Sequence, residues 1–135
     1  NYGSVSLGAK VKTKFQSMLD KYAPFAHFQA PINLPTDHRN SLLNSLKNKD
    51  VVVVSIHDMS SYARKDFGIS ASQRQFIEDL RKETTVVLTI FGSPYSLKYF
   101  DTVENVLVAY DEDEMTQKIT AQGLFGAFGF KFSFG

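Results

Sequence analysis

Val51-Val-Val-Val-Ser-Ile-His-Asp-Met59 is the stretch that decides the fold. Four consecutive β-branched residues open it, and such residues are stiff at χ1 and fit a pleated strand. Apolar and polar residues do not alternate along it, so both faces of the strand are expected to be buried. That is the pattern of a central strand in a parallel sheet covered by helices. The run ends in the polar residues His57 and Asp58. In open α/β sheets the carboxyl ends of such strands face the ligand crevice, so chemistry is expected at this end.

Downstream, Ser70-Ala-Ser-Gln73 has the form of a capping box, and the helix behind it is expected to bury Phe76, Ile77 and Leu80. Thr85–Phe91 reads as a second fully buried strand. Gly92-Ser93-Pro94 follows at once, with Ser93 as N-cap and Pro94 at the first position of a short helix reaching about Phe100. Residues 106–109 give the fifth strand. Asp111 to Glu114 place four acids at the start of a last helix, where the macrodipole favours them. Its apolar stripe is Ala121, Leu124, Phe125 and Phe128. Gly123 and Gly126 weaken that helix by about 1 kcal/mol each relative to Ala and are expected to permit close packing. The tail Phe130-Lys-Phe-Ser-Phe134 alternates as an edge strand would, and reads as an edge against which another domain packs.

Upstream, residues 4–7 alternate as a short strand. Val11, Phe15, Met18, Leu19 and Tyr22 then form a helical stripe that Pro24 ends. Residues 25–29 read as the second strand. Thr36 or Asp37 is expected to cap a helix burying Leu42, Leu43 and Leu46. The order is βα repeated five times. Right-handed crossovers then give a three-layer α/β/α sandwich, with a mostly parallel five-stranded sheet in the flavodoxin-like order 2-1-3-4-5.

The 135 residues amount to one domain, and the 43% apolar and 21% charged content is that of a globular chain. Net charge is +1 and no basic stripe stands out, so nucleic acid is not an expected partner. Cysteine is absent, which removes disulfides and thiolate chemistry. No apolar run approaches the roughly 18 residues of a membrane span. Asn1 is not an initiator residue, so the chain reads as a piece of a longer protein, and the absence of cysteine does not fix its compartment.

The strand exits bring His57, Asp58, Ser93, Asp111 and Glu112 to one rim. A Ser/His/Asp set suggests nucleophilic catalysis. Ser93 lacks the Gly-x-Ser-x-Gly elbow, however, and capping explains its identity. His57 beside Asp58 is the sharper pair, suited to acid–base work or metal ligation. The ordinary alternative is an Asp bonded to the loop backbone and a His packed at the rim. His27 and His38 show no metal-ligand spacing, and neither a metal nor a cofactor is expected. A phospho-receiver would use Asp58, but the acids after the first strand and the Lys after the fifth are missing. Gly8-Ala-Lys10-Val-Lys12-Thr13 could hold an anion, yet matches no phosphate-loop pattern and reads as a solvated helix start. The acidic run reads likewise as a solvated helix terminus.

Three phrases carry a family resemblance: residues 51–60, Phe91-Gly-Ser-Pro-Tyr-Ser-Leu-Lys-Tyr-Phe100, and Thr116-Gln-Lys-Ile-Thr-Ala-Gln-Gly-Leu-Phe-Gly-Ala127. With Val106-Leu-Val-Ala-Tyr110 and the acids behind it, they resemble the C-terminal α/β domain of family 3 glycoside hydrolases, in the β-N-acetylhexosaminidase-like branch of Bacteroidetes type. The resemblance spans about residues 4–130. It implies a non-catalytic domain that braces an N-terminal (β/α)8 barrel of the same chain and walls a carbohydrate cleft. It also implies a periplasmic or cell-envelope location for the parent enzyme. The family's nucleophile lies in the barrel, and no acid/base glutamate motif matches here, so no catalytic residue is carried over. The relatives' Gly-x-Leu-Pro phrase after Phe-Lys is replaced by Phe132-Ser-Phe-Gly135, and Gly123 stands where Ala is expected. The rim residues expected to meet sugar are His57, Asp58, Tyr62, Ser93 and Asp111. The competing expectation is a stand-alone flavodoxin-like ligand-binding or regulatory module.

Overall fold

The computed structural model describes residues 1–31, 33–57, 70–92, 94–109 and 111–133, and only the backbone of 94–96 and 127–133. Five parallel strands form one sheet: β1 (Tyr2–Leu7), β2 (Phe25–Ala30), β3 (Val51–Ile56), β4 (Thr85–Phe91) and β5 (Asn105–Ala109). Their order is β2-β1-β3-β4-β5, as the sequence pattern predicts. Among the described residues four α-helices connect or follow them: α1 (Lys14–Leu19), α2 (Thr36–Leu46), α3 (Ala71–Glu83) and α4 (Glu114–Ser133), with a 3₁₀ helix at Pro94–Tyr99 between β4 and β5. Among the described residues no helix is long and apolar enough to cross a membrane.

All six residues of β3 are buried, and so are all six of β1. Successive strand residues point to opposite faces, and the core divides accordingly. Val52, Val54 and Ile56 pack with Leu42 and Leu46 of α2 and Phe76, Ile77 and Leu80 of α3. Val51 and Val53 belong to a second cluster with Phe15 and Leu19 of α1 and Ala121 and Leu124 of α4. The second face is the polar one. Ser4, Ser6, Ser55 and Thr89 are at most 1% exposed, and parallel pairing aligns Ser6 with Ser55 and Ser55 with Thr89.

Several local expectations are corrected. The helical stripe does not start at Val11, which is 73% exposed. Thr13, in extended conformation, stops α1 from reaching back, and it forms a full capping box with Gln16. Neither Thr36 nor Asp37 caps α2: both lie inside it, after Pro35, whose ring has no hydrogen-bonding group to offer. Ser70 caps α3 by accepting from the Gln73 N–H, but the Gln73 side chain is buried and completes no box. The tail is not a strand, because α4 continues through Ser133. No turn residue pair interrupts it there, and a nucleated helix propagates. Gly123 and Gly126 permit no close packing: a Cβ at either would meet open space.

Candidate functional site at the carboxyl edge of the sheet

His57 follows β3 directly and extends its ladder, its N–H donating to Leu7 O at 2.8 Å. The ring is 3% exposed and stacks on Phe91, centroids 4.9 Å apart. Its Nε2 lies 2.8 Å from Ser55 Oγ, which lies 2.8 Å from Ser6 Oγ. Ser6 Oγ is in turn 3.3 Å from Thr13 Oγ1. A line of buried hydroxyls thus runs from the α1 cap to the imidazole. On the other side of the ring, Glu112 Oε2 is 3.7 Å from Nδ1, close enough for charge attraction and too far for a hydrogen bond.

Gln117 fixes the turn that carries Glu112. Its Oε1 accepts from Phe15 N–H at 3.0 Å, and its Nε2 donates to Glu112 O at 2.8 Å. One side chain of α4 therefore ties the start of α1 to the exit of β5. Asp113 accepts from Thr116 N–H and caps α4; hydrogen bonds from the Thr116 side chain and backbone hold its carboxyl below the usual range. Residues Gly8 to Lys14, His57, Glu112 and Gln117 line an open cavity of about 400 Å³. A second cavity, of about 550 Å³, lies across the β1–α1 loop against Gln29, Ala30 and Asn33. Both sit at the carboxyl edge beside β1. The first opens between β1 and β3, where the strand order reverses, which is the ligand position of doubly wound sheets.

Of the rim residues expected from sequence, the structure brings His57 into this cavity wall and leaves Asp111 exposed beside it, its Oδ1 accepting from Glu112 N–H at 2.8 Å. Asp58, Tyr62 and Ser93 lie outside the described residues. The carboxylate facing His57 is Glu112, from the acidic run. Ser6, Ser55 and Gln117 were not singled out from sequence. The signal for the two serines was there: a polar residue inside a fully buried strand needs a partner.

A second acid–His–Ser line lies on the same face. Asp20 Oδ1 is 2.7 Å from His27 Nε2, and His27 Nδ1 is 2.5 Å from Ser4 Oγ. Burial raises the Asp20 carboxyl, but hydrogen bonds from Lys12 and His27 outweigh it and hold the group below its ordinary value. Gln16 Nε2 donates to Ser4 Oγ at 3.0 Å. Both serines are 1% exposed, so neither hydroxyl meets a substrate. Among the described residues no group of three or more His, Asp or Glu is placed to hold a metal. The fold and this crevice define a doubly wound parallel α/β domain. No known family, curated protein or solved structure matches the chain.

Proposed function

We propose that this chain is the non-catalytic second domain of a family 3 glycoside hydrolase of the β-N-acetylhexosaminidase-like branch, bracing the catalytic barrel and walling its carbohydrate cleft. The observation that carries the reading is the set of three phrases at residues 51–60, 91–100 and 116–127. They fall on β3 and its exit, on the β4 exit, and on α4, the elements that surround the carboxyl edge. A non-catalytic role is supported by the crevice itself. Retaining glycosidases set two carboxyl groups about 5–5.5 Å apart across the substrate, whereas Asp111 and Glu112 are neighbours on one turn, the Asp111 carboxylate accepting from the Glu112 backbone N–H. The serines of both acid–His–Ser lines are sealed in the core.

The test is to sequence the gene upstream of Asn1. The expected result is an open frame of about 250 residues or more encoding a βα-barrel with a carboxylate at a strand end. The barrel-containing protein should cleave a chromogenic N-acetylglucosaminide that the 135-residue chain leaves intact. An initiation codon immediately before Asn1 would refute the reading.

A further inference from the structure

We infer that the crevice between the β1–α1 loop and the exits of β3 and β5 is a site for a small ligand bearing an anionic group, held by Lys10 and Lys14. The wall of this cavity carries Lys10, Lys12 and Lys14 against Glu112. Lys12 is already engaged, its Nζ 2.7 Å from Asp20 Oδ2. Glu114, whose carboxyl also feels the charge of Lys14, is paired with Lys118 at 3.0 Å. Among the described residues Lys10 and Lys14 take part in no salt bridge. Two lysine side chains thus line an open depression, and among the described residues neither is paired with a carboxylate; a charge-assisted hydrogen bond from either to an anion is a strong one.

Glu112 sets the ligand's orientation. It is held on the β5 side, facing His57, so the anionic group belongs on the β1 side. The turn from β1 into this loop is fixed in place. Gly8 has φ +87°, a conformation open to glycine, and its N–H is bonded to Ala30 O at 2.8 Å. Lys10 lines the cavities on both sides of the loop, so its ammonium can serve a ligand entering from either. The site also has a rigid floor: His57 is buried, stacked on Phe91 and bonded to Ser55. The inference is independent of the family reading, since it requires no barrel.

The 135-residue chain, ¹⁵N-labelled and at low ionic strength, would be titrated separately with inorganic phosphate, acetate and, as a neutral control, N-acetylglucosamine. The expected result is saturable amide shifts confined to residues 8–14, 57 and 112–117 with phosphate, acetate or both. The tighter of the two identifies a phosphoryl or a carboxylate ligand. Exchanging both lysines, Lys10→Gln with Lys14→Gln, should weaken binding by about tenfold or more, the loss of at least one charge-assisted hydrogen bond. Both side chains are exposed, so the fold should persist, and unchanged dispersion elsewhere in the spectrum checks it. Lys47→Gln with Lys82→Gln, far along the chain, should leave binding unchanged. Three results would each overturn the inference: silence with both anions, shifts spread evenly over all lysines, or unaltered affinity in the Lys10/Lys14 variant. Equal shifts with N-acetylglucosamine would overturn the anionic assignment too.

Discussion

Ser55 and Thr89 are aligned on neighbouring strands, share a face of the sheet, and are at most 1% exposed, yet their hydroxyls should respond in opposite ways to removal. Ser55 Oγ is bonded to both Ser6 Oγ and His57 Nε2. Ser55→Ala leaves a buried imidazole nitrogen without its partner and shortens the hydroxyl line. An unsatisfied buried group costs about 1–3 kcal/mol, so a loss of roughly 2–3 kcal/mol is expected, since two partners are affected. At the usual unfolding entropy per residue, that lowers Tm by about 7–10 °C for a chain of this size. Thr89 Oγ1 has no hydrogen-bond partner among the described residues. Thr89→Val keeps the shape and the β-branch and removes only the orphan hydroxyl. It should therefore stabilise, by about 1 kcal/mol and 3–4 °C. Urea and thermal denaturation of the two variants against wild type provide the assay, and a double variant should be additive only if the sites do not couple. A Thr89→Val variant that lost as much stability as Ser55→Ala would refute the reasoning, because burial and not bonding would then set the cost.

Two further tests probe the frame around the crevice. A Cβ at Gly3 would come within 2.7 Å of Leu46 Cδ2 in a fully buried side chain, so Gly3→Ala should cost about 1–3 kcal/mol by overpacking, while Gly123→Ala, in open space on α4, should gain up to about 1 kcal/mol of helix propensity; denaturation midpoints that moved in the same direction would contradict the packing account. Hydrogen bonds from Arg81 and then Thr102 hold the Glu78 carboxyl at about 2, down from 4.5, so its contribution to stability is full above 4.5 and lost as pH falls towards 2. Glu78→Gln should flatten the acid limb of the stability profile across that interval, and an unchanged slope would show that the pair with Arg81 does not operate in solution.

The sheet was legible because its central strands are short, β-branched and punctuated by glycine, proline and polar turns. The 51–56 and 85–91 runs match β3 and β4 residue for residue. Helix termini were less legible, since capping depends on backbone geometry that residue type alone leaves open: Thr13 and Gln16 formed the box expected of Ser70 and Gln73. The alternating tail misled because alternation over a few residues is a weak signal beside a helix already nucleated upstream, and α4 runs through residues 130–133. At the crevice, the position of His57 at a strand exit followed from the pattern. Its partners did not, because Ser55, Ser6 and Glu112 meet it through parallel register and a turn fixed by Gln117, both of which are tertiary facts.

The two acid–His–Ser lines share a physical role that their resemblance to a hydrolytic triad obscures. A nucleophile needs an accessible Oγ, and both serines are sealed. Their hydroxyls instead tie β1 to its neighbours: Ser4 of β1 bonds towards His27 on β2, and Ser55 of β3 towards Ser6 on β1. Side chains alternate along a strand, so a slip of β1 by one residue would turn Ser4 and Ser6 to the apolar face shared with α2 and α3, where these partners are absent. Buried hydroxyls that bond only in one register penalise that slip by leaving several polar groups unpaired at once. β1 is also the strand whose exit forms the wall common to both carboxyl-edge cavities. Fixing its register therefore fixes where Gly8 and Lys10 stand relative to His57. The polar face of this sheet is in that sense the foundation of the crevice, and its desolvated hydroxyls are offset by the hydrogen bonds they make in that one register.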